Sequence, residues 1–468
     1  MTDKELYEKL SYKTKNVYNE ISAEETKEMF ELCDGYRVYL DEGKTERECV
    51  TISEKMAIEN GFVPIEEVDT LKAGDKVYSI NRDKNILLAI IGEEPVENGF
   101  NIVGAHIDSP RLDLKQNPLY ESDELAFLKT HYYGGIKKYQ WTAIPLSLHG
   151  VVYTRDGEKV EINIGEKDTD PVFCITDLLP HLAVGQMSKK MTEGIEGEAL
   201  NILIGGMGVK CEDVPEKVKY KILSILNSMY GIHEGDFLSA EIEAVPAFKA
   251  RNVGLDESFI GAYGQDDRVC AYTSLKSIFD IEAPKKTAVC VLVDKEEIGS
   301  VGNTGMLSKY FEMMIAEIVM KMTGKGDLLT INKAISNSAF LSSDVSAALD
   351  PNYANVYEKN NSAYAGRGMV LMKYTGSRGK SGASDASAEF VHEITSMFNN
   401  NGVIWQSGEL GKVDGGGGGT IAMYIGNLNM DVIDCGVPVL SMHAPFEVTE
   451  KSYIYMAYKA YKVFFTER

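Results

Sequence analysis

The chain has no C-x-x-C pair. Its seven cysteines stand singly at positions 33, 49, 174, 211, 270, 290 and 435. That excludes a zinc site built on paired thiolates and predicts reduced thiols, several inside apolar runs, as in a cytoplasmic protein. Long apolar runs are missing too. No stretch approaches the ~20 residues that a membrane-spanning helix needs. The opening residues MTDKELYEKL carry no apolar segment of signal-peptide type. Positive charge is scarce: 48 Lys and Arg against 70 Asp and Glu leave a net charge of −22. Nucleic acid and anionic membrane surfaces both need clustered Lys and Arg, so the expected partners include neither.

What remains is an ordinary soluble composition, 44% hydrophobic and 25% charged, over 468 residues, enough for two or three domains. Residues 1 to about 60 read as helical. Ser22 with Glu25 and Thr45 with Glu48 match the capping box, and Gly61 is a natural helix stop. Val77–Ile80 and Ile86–Ile91 flank the polar Asn81–Asn85 as a hairpin. Phe100–Val103 then leads as a strand into Gly104 and His106.

The pattern changes at about 115 and again at about 248. Between them lie short alternating segments, Ile144–Leu148, Val151–Thr154 and Val160–Ile164, with Arg155-Asp156-Gly157 as a turn. We expect a β-rich domain over 115–248, inserted between two halves of one α/β domain, 1–114 and 249–468. From 250 onward apolar strands alternate with helices. Thr287–Val293 is a continuous β-branched run of the kind buried on both faces. Helices are expected over Val269–Phe279, Leu307–Met322 and Ala386–Phe398, and over Thr449–Phe465 with Thr449 as its cap. Strands are expected at Met369–Tyr374 and Val403–Gln406. The expected fold class is α/β: a mixed, mainly parallel sheet sandwiched by helices. Ligands in such folds bind beyond the carboxyl ends of strands.

Acidic and histidine clusters sit at those ends: His106/Asp108, Asp266/Asp267, Glu296/Glu297, Asp344 and His443. Imidazole and carboxylate without thiolate suit zinc, cobalt or manganese in a hydrolase. Two such ions need a carboxylate between them, terminal ligands on each, and a further carboxylate to accept a proton from water. On an extended segment Asp108 shares a face with His106 and accepts its other ring N–H. There Glu296 and Glu297 point in opposite directions, one to metal and one to water. Each cluster also has a plain reading: a hydrogen-bonded strand-end histidine for His106, a solvated acidic loop for Glu296/Glu297, a helix N-cap for Asp344, a buried core histidine for His443. The glycine run Gly415–Gly419 lacks the G-x-x-x-x-G-K-[ST] phosphate-loop pattern and is expected to let backbone line a pocket closely.

In chain order, HIDSPRLDLK, DDR, DKEEIGS, SSDVSAALDPNY and SMHAPFE together resemble the M18 family of metallo-aminopeptidases, the aspartyl aminopeptidase family. The resemblance implies a zinc-exopeptidase-like catalytic domain with an inserted β-rich assembly domain. It implies aminopeptidase activity (EC 3.4.11) on peptides, with two divalent ions, zinc or else cobalt or manganese. His106 and Asp344 would bind one ion, Glu297 and His443 the other, and Asp266 both. Glu296 would be the general base and Asp108 would orient His106. Asp267 stands where many relatives have asparagine, so either residue of the pair could be assigned the bridge; Asp266 is preferred, because the aspartate before that asparagine is the family ligand. Lys373 matches the family position proposed to meet an acidic first residue, although an ordinary strand lysine reads equally well. A neutral or basic preference, or another amidohydrolase on the same scaffold, is the alternative. The resemblance also implies a homo-oligomer, a dodecamer, in which a neighbour's histidine can approach the site. His181 lies in the matching region.

Overall fold

The structure is a computed structural model that describes residues 1–468. It is a mixed α/β architecture with three principal sheets. The largest has nine strands in the order Val63–Pro64, Lys76–Asn81, Asn85–Ile90, Ala288–Val293, Asn101–His106, Ala339–Ser342, Asp431–Gly436, Met369–Met372 and Trp405–Ser407. Its four consecutive strands from Ala288–Val293 to Asp431–Gly436 are mutually parallel. Every residue of Ala288–Val293 and Asn101–His106 is buried. Successive strand residues point to opposite faces. Ala288, Cys290 and Leu292 accordingly join an apolar cluster with the helices Ala23–Glu42, Gln265–Phe279 and Lys451–Glu467. Val289, Val291 and Val293 join a second with Tyr310–Thr323 and Leu328–Ser336.

His106 ends its strand, and five residues later the chain enters Arg111–Ser122, part of a six-stranded antiparallel sheet. That sheet is built only from segments between Arg111 and Pro246 and has its own apolar cluster. A third sheet pairs Phe259–Ala262 with Glu447–Glu450, so the residues after 262 lie beside those before 447 although they are far apart in the chain.

A buried charged seam joins the N-terminal helices to the six-stranded sheet. Lys44 Nζ lies 3.0 Å from Glu166 and donates to the Pro246 carbonyl at 2.7 Å. Arg111 lies 3.1 Å from Glu243 and 3.6 Å from Glu46.

Ser22 and Thr45 cap their helices through complete capping boxes. Thr449 does not cap the last helix. It lies in the strand Glu447–Glu450 and its hydroxyl donates to the Pro438 carbonyl, so the helix begins at Lys451. Ile144–Leu148 and Val151–Thr154 are not separate segments: one strand, Leu146–Tyr153, runs through both. The helix Lys217–Tyr230 has no counterpart in the sequence reading, although Val218, Ile222, Leu223 and Leu226 space an apolar side that packs on the six-stranded sheet. No helix is long and apolar enough to cross a membrane.

Candidate metal centre

The site forms where the parallel strands end. His106 is the last residue of its strand and is fully buried. Its Nδ1 lies 3.0 Å from the main-chain carbonyl of Asp108. A carbonyl only accepts, so Nδ1 carries the proton and Nε2 is left as a lone-pair donor. That Nε2 lies 3.2 Å from Asp266 Oδ1, 3.8 Å from Glu296 Oε2 and 3.9 Å from Asp344 Oδ1. The other oxygen of Asp266 lies 3.2 Å from His443 Nε2, which in turn is 3.5 Å from Glu297 Oε1. One carboxylate therefore spans two imidazoles, each flanked by a further acid. Asp267 is partly engaged elsewhere: its Oδ2 accepts the backbone N–H of His106 at 3.3 Å, while its Oδ1 is buried without a partner, and its carboxylate lies within 4.8 Å of those of Asp266 and Asp344.

Lys295 and Gly299, both at positive φ, bracket a single 3-10 turn that carries Glu296 and Glu297. The two glutamates are thus not on an extended segment. The turn sends both side chains into one cavity, and its N–H groups are held by a single acid: Asp108 accepts Glu296 N at 3.1 Å and Glu297 N at 3.2 Å. The Asp108 carboxylate also lies 3.2 Å from His106 Nδ1, so it braces the histidine and the glutamate turn together. Asp344 follows the strand Ala339–Ser342 and caps no helix. Gly436, at the end of the adjacent strand, lies so close that any Cβ there would collide with the Asp344 main chain.

The charges in this volume are not balanced by protein donors. Burial, reinforced by neighbouring carboxylates, pushes Asp344 and Glu297 well above the usual carboxyl range. Burial pushes Glu296 up to about 7 against the pull of His106, with the Asp108 and Asp266 charges adding to the rise. Asp266 is held low despite its burial by the two imidazoles beside it. For His443, burial opposes protonation, but the bond to Asp266 and the charge of Glu297 outweigh it and raise the imidazole to about 10. Glu297 Oε1 is buried without any hydrogen-bond partner. Crowded acids, two imidazoles and an orphaned buried oxygen are the donor set of a divalent-cation site, with nitrogen and oxygen but no sulfur. Ligand atoms of His106, Asp266 and Glu297, and separately of His106, Glu296 and Asp344, all lie within 4.8 Å of one another.

Glu447 is a brace the sequence reading missed. Fully buried, it accepts the backbone N–H of His443 at 2.6 Å and that of Asp266 at 3.0 Å, tying the two loops together. Its one sequence signal is its place at the end of the SMHAPFE segment.

The cavity beside these residues has a volume of about 430 Å³. Glycines Gly416–Gly419 line it, as do Arg378, Lys380 and Lys412. Lys373 is not brought into it. That side chain is about half exposed, and its ammonium bonds Asp385 at 2.7 Å. The same aspartate takes Lys380 at 2.9 Å, and the Lys380 ammonium lies 3.7 Å over the Tyr374 ring. His181 is exposed on the six-stranded-sheet side of the chain, apart from this cavity.

The chain is similar to known proteins over nearly its whole length. A family profile described as "Aminopeptidase I zinc metalloprotease (M18)" matches residues 39–465. A probable M18 family aminopeptidase 1 of Clostridium acetobutylicum is 53% identical over 454 residues, 96% of this chain and 97% of the relative. One of Borreliella afzelii is 48% identical over 458 residues, 97% of this chain and 100% of the relative. The crystal structure of the M18 aminopeptidase of Thermotoga maritima superposes with a TM-score of 0.94 at 43% identity, covering 98% of this chain and all of that one. Aminopeptidase I of Clostridium acetobutylicum superposes at 0.92, with 48% identity, 98% of this chain and 100% of that chain. The chain belongs to the M18 family of aminopeptidases, which are zinc metalloproteases.

Proposed function

We propose that the protein removes N-terminal residues from peptides at a site holding two divalent cations, zinc in the first instance. The observation that carries this is Asp266, whose two carboxylate oxygens each lie 3.2 Å from a different imidazole. His106 and Asp344 would hold one ion, Glu297 and His443 the other, with Asp266 shared. Held by these residues, the ions would supply Lewis acidity, to polarise the scissile carbonyl and lower the pKa of water in the site.

The chain's own residues supply the rest. Glu296 lines the cavity, and its side chain accepts no hydrogen bond from the protein. It is free to take a proton from the attacking water and pass it to the leaving amine. Asp108 holds Glu296 and Glu297 through their N–H groups, so the base and its neighbour move as one unit. The acids around the site recognise a free α-ammonium, which makes the enzyme an exopeptidase. Arg378 and Lys412 on the cavity wall favour an acidic first side chain and take the role the sequence suggested for Lys373.

Glu296→Gln is expected to keep two metals per chain by elemental analysis and to lose nearly all turnover on aminoacyl p-nitroanilides. Substantial residual activity means another base. Equal cleavage of peptides with free and blocked N-termini would favour a different amidohydrolase. A panel of first residues reads the acidic preference, and faster cleavage of neutral or basic ones overturns it.

The chain divides, in this reading, into a catalytic domain over 1–114 and 249–468 and an assembly domain over 115–248. A yeast structure titled as the mApe1 dodecamer shares the fold at 19% identity and a TM-score of 0.74. Leu178, Leu179, Leu182, Val184, Met187 and Met191 are exposed on one segment of the second region. We assign that segment to subunit contacts in a cytoplasmic homo-oligomer, and light scattering is expected to give the mass of a dodecamer; the mass of a single chain would overturn the assignment.

A further inference from the structure

Two elements of the active-site wall come from outside the nine-stranded sheet. The strand Leu125–Tyr133 belongs to the six-stranded sheet, and its last residue and the two glycines that follow run across the metal centre. The Tyr133 hydroxyl donates to Asp108 Oδ2 at 2.8 Å, on the same carboxylate that accepts the N–H groups of Glu296 and Glu297. The Tyr133 ring is held in turn: the Arg111 guanidinium stacks 3.8 Å from its centroid. Arg111 is itself fixed by Asp113 at 2.9 Å and Glu243 at 3.1 Å.

Two residues on, the carbonyl of Gly135 lies 2.8 Å from His443 Nδ1. A carbonyl can only accept, so His443 keeps a proton on Nδ1, and Nε2, beside Asp266 and Glu297, is the nitrogen left to give its lone pair to a cation. His443 needs such a partner more than His106 does, because its side chain is 35% exposed while that of His106 is 2% exposed. A side chain on either glycine would press on a side chain of the site. A Cβ on Gly135 would lie 3.2 Å from His443 Nδ1. One on Gly134, where φ is +71°, would lie 3.2 Å from Glu297 Oε2.

We propose that Tyr133 and the main chain at Gly134–Gly135 are positioning groups of the active site. Tyr133 holds the Asp108 brace that carries Glu296 and Glu297. Gly135 fixes the ring orientation and tautomer of His443. The six-stranded sheet therefore completes the metal centre within one chain. This rests on the two-metal reading above. A group that fixes a ligand from behind typically carries 10- to 100-fold in metal affinity or activity.

The test uses the full-length protein and three variants: Tyr133→Phe, Gly135→Ala and, as control, Tyr132→Phe. Tyr132 is the exposed neighbour on the same strand. Tyr133→Phe is expected to lower kcat about 10- to 100-fold with KM within about twofold. Gly135→Ala is expected to weaken zinc binding by a similar factor, measured against a chromophoric chelator, and to shift the visible absorption of the cobalt-loaded protein because the His443 ring must turn. Tyr132→Phe is expected to match wild type in all three measurements. Wild-type kcat and zinc affinity in both Tyr133→Phe and Gly135→Ala would overturn the proposal. A general loss of stability without the kcat-only change or the spectral shift would reduce these residues to scaffold and overturn it as well. Failure of the wild type to bind two metals would instead sink the two-metal reading, and this proposal with it.

Discussion

Glu447 offers a direct measure of how the site is held. It touches no substrate, yet both of its oxygens are committed, one to the N–H of His443 and one to that of Asp266. Burial and the Asp266 charge push its carboxyl up to about 8, against the pull of those two N–H groups. Glu447→Gln preserves size and one acceptor but sets an NH2 group opposite one of the two buried N–H donors. Leaving such a donor unpaired costs about 1–3 kcal/mol. At 1.36 kcal/mol per decade that is about 5- to 160-fold. The loss should fall on zinc affinity and kcat together, because Asp266 and His443 both shift, while KM changes little. Zinc dissociation constants by chelator competition, with kcat at saturating metal, read both quantities. Values within twofold of wild type would show that the two loops are held by packing alone and would refute the argument.

Lys373→Ala should leave kcat/KM for an acidic aminoacyl p-nitroanilide within about twofold, because that ammonium is bonded to Asp385 outside the cavity. Arg378→Ala or Lys412→Ala should lower it about tenfold, on the scale of one lost charge-assisted contact. His149 is buried between Glu48 at 2.7 Å and Glu166 at 3.1 Å. Burial pulls its pKa down, but the bonds and charges of those two acids outweigh it, so the folded value is raised. The protonated imidazole therefore stabilises the fold fully below its unfolded pKa of about 6.5, and that contribution is lost as pH rises through the folded value. The difference in urea-unfolding free energy between wild type and His149→Ala should be largest near pH 6 and shrink toward pH 9; a constant or growing difference contradicts this. Of the seven cysteines only Cys211 is exposed and Cys174 is intermediate. A thiol reagent should label Cys211 first, Cys174 slowly, and the other five only on unfolding.

Much of the site was legible because each ligand stands next to a local signal. His106 follows an apolar strand, Glu296 and Glu297 follow the buried Ala288–Val293, and His443 follows the strand Pro438–Leu440. Their order along the chain matched a family pattern, and the geometry brings all five proposed ligands and Glu296 together, all but the buried His106 lining one cavity. Local cues misled where a residue had two uses. Thr449 has the chemistry of a cap, but a carbonyl from a neighbouring strand claims its hydroxyl. Lys373 sits on the expected strand edge, but an aspartate twelve residues on claims its charge. The helix Lys217–Tyr230 was overlooked because the alternating strands around it dominated the reading of that region.

Capping boxes, the alternation of strand residues and the sequence order of the ligands depend on neighbours a few positions apart, and those the sequence by itself determined. The braces depend on something else. Glu447 reaches Asp266 across 181 positions and Gly135 reaches His443 across 308. Such pairs leave no periodic trace in the chain, because a hydrogen bond between distant segments is set by how sheets pack and not by spacing. Only the tertiary structure decided them, by laying the strand Phe259–Ala262 against Glu447–Glu450 and by carrying the end of Leu125–Tyr133 over the metal centre.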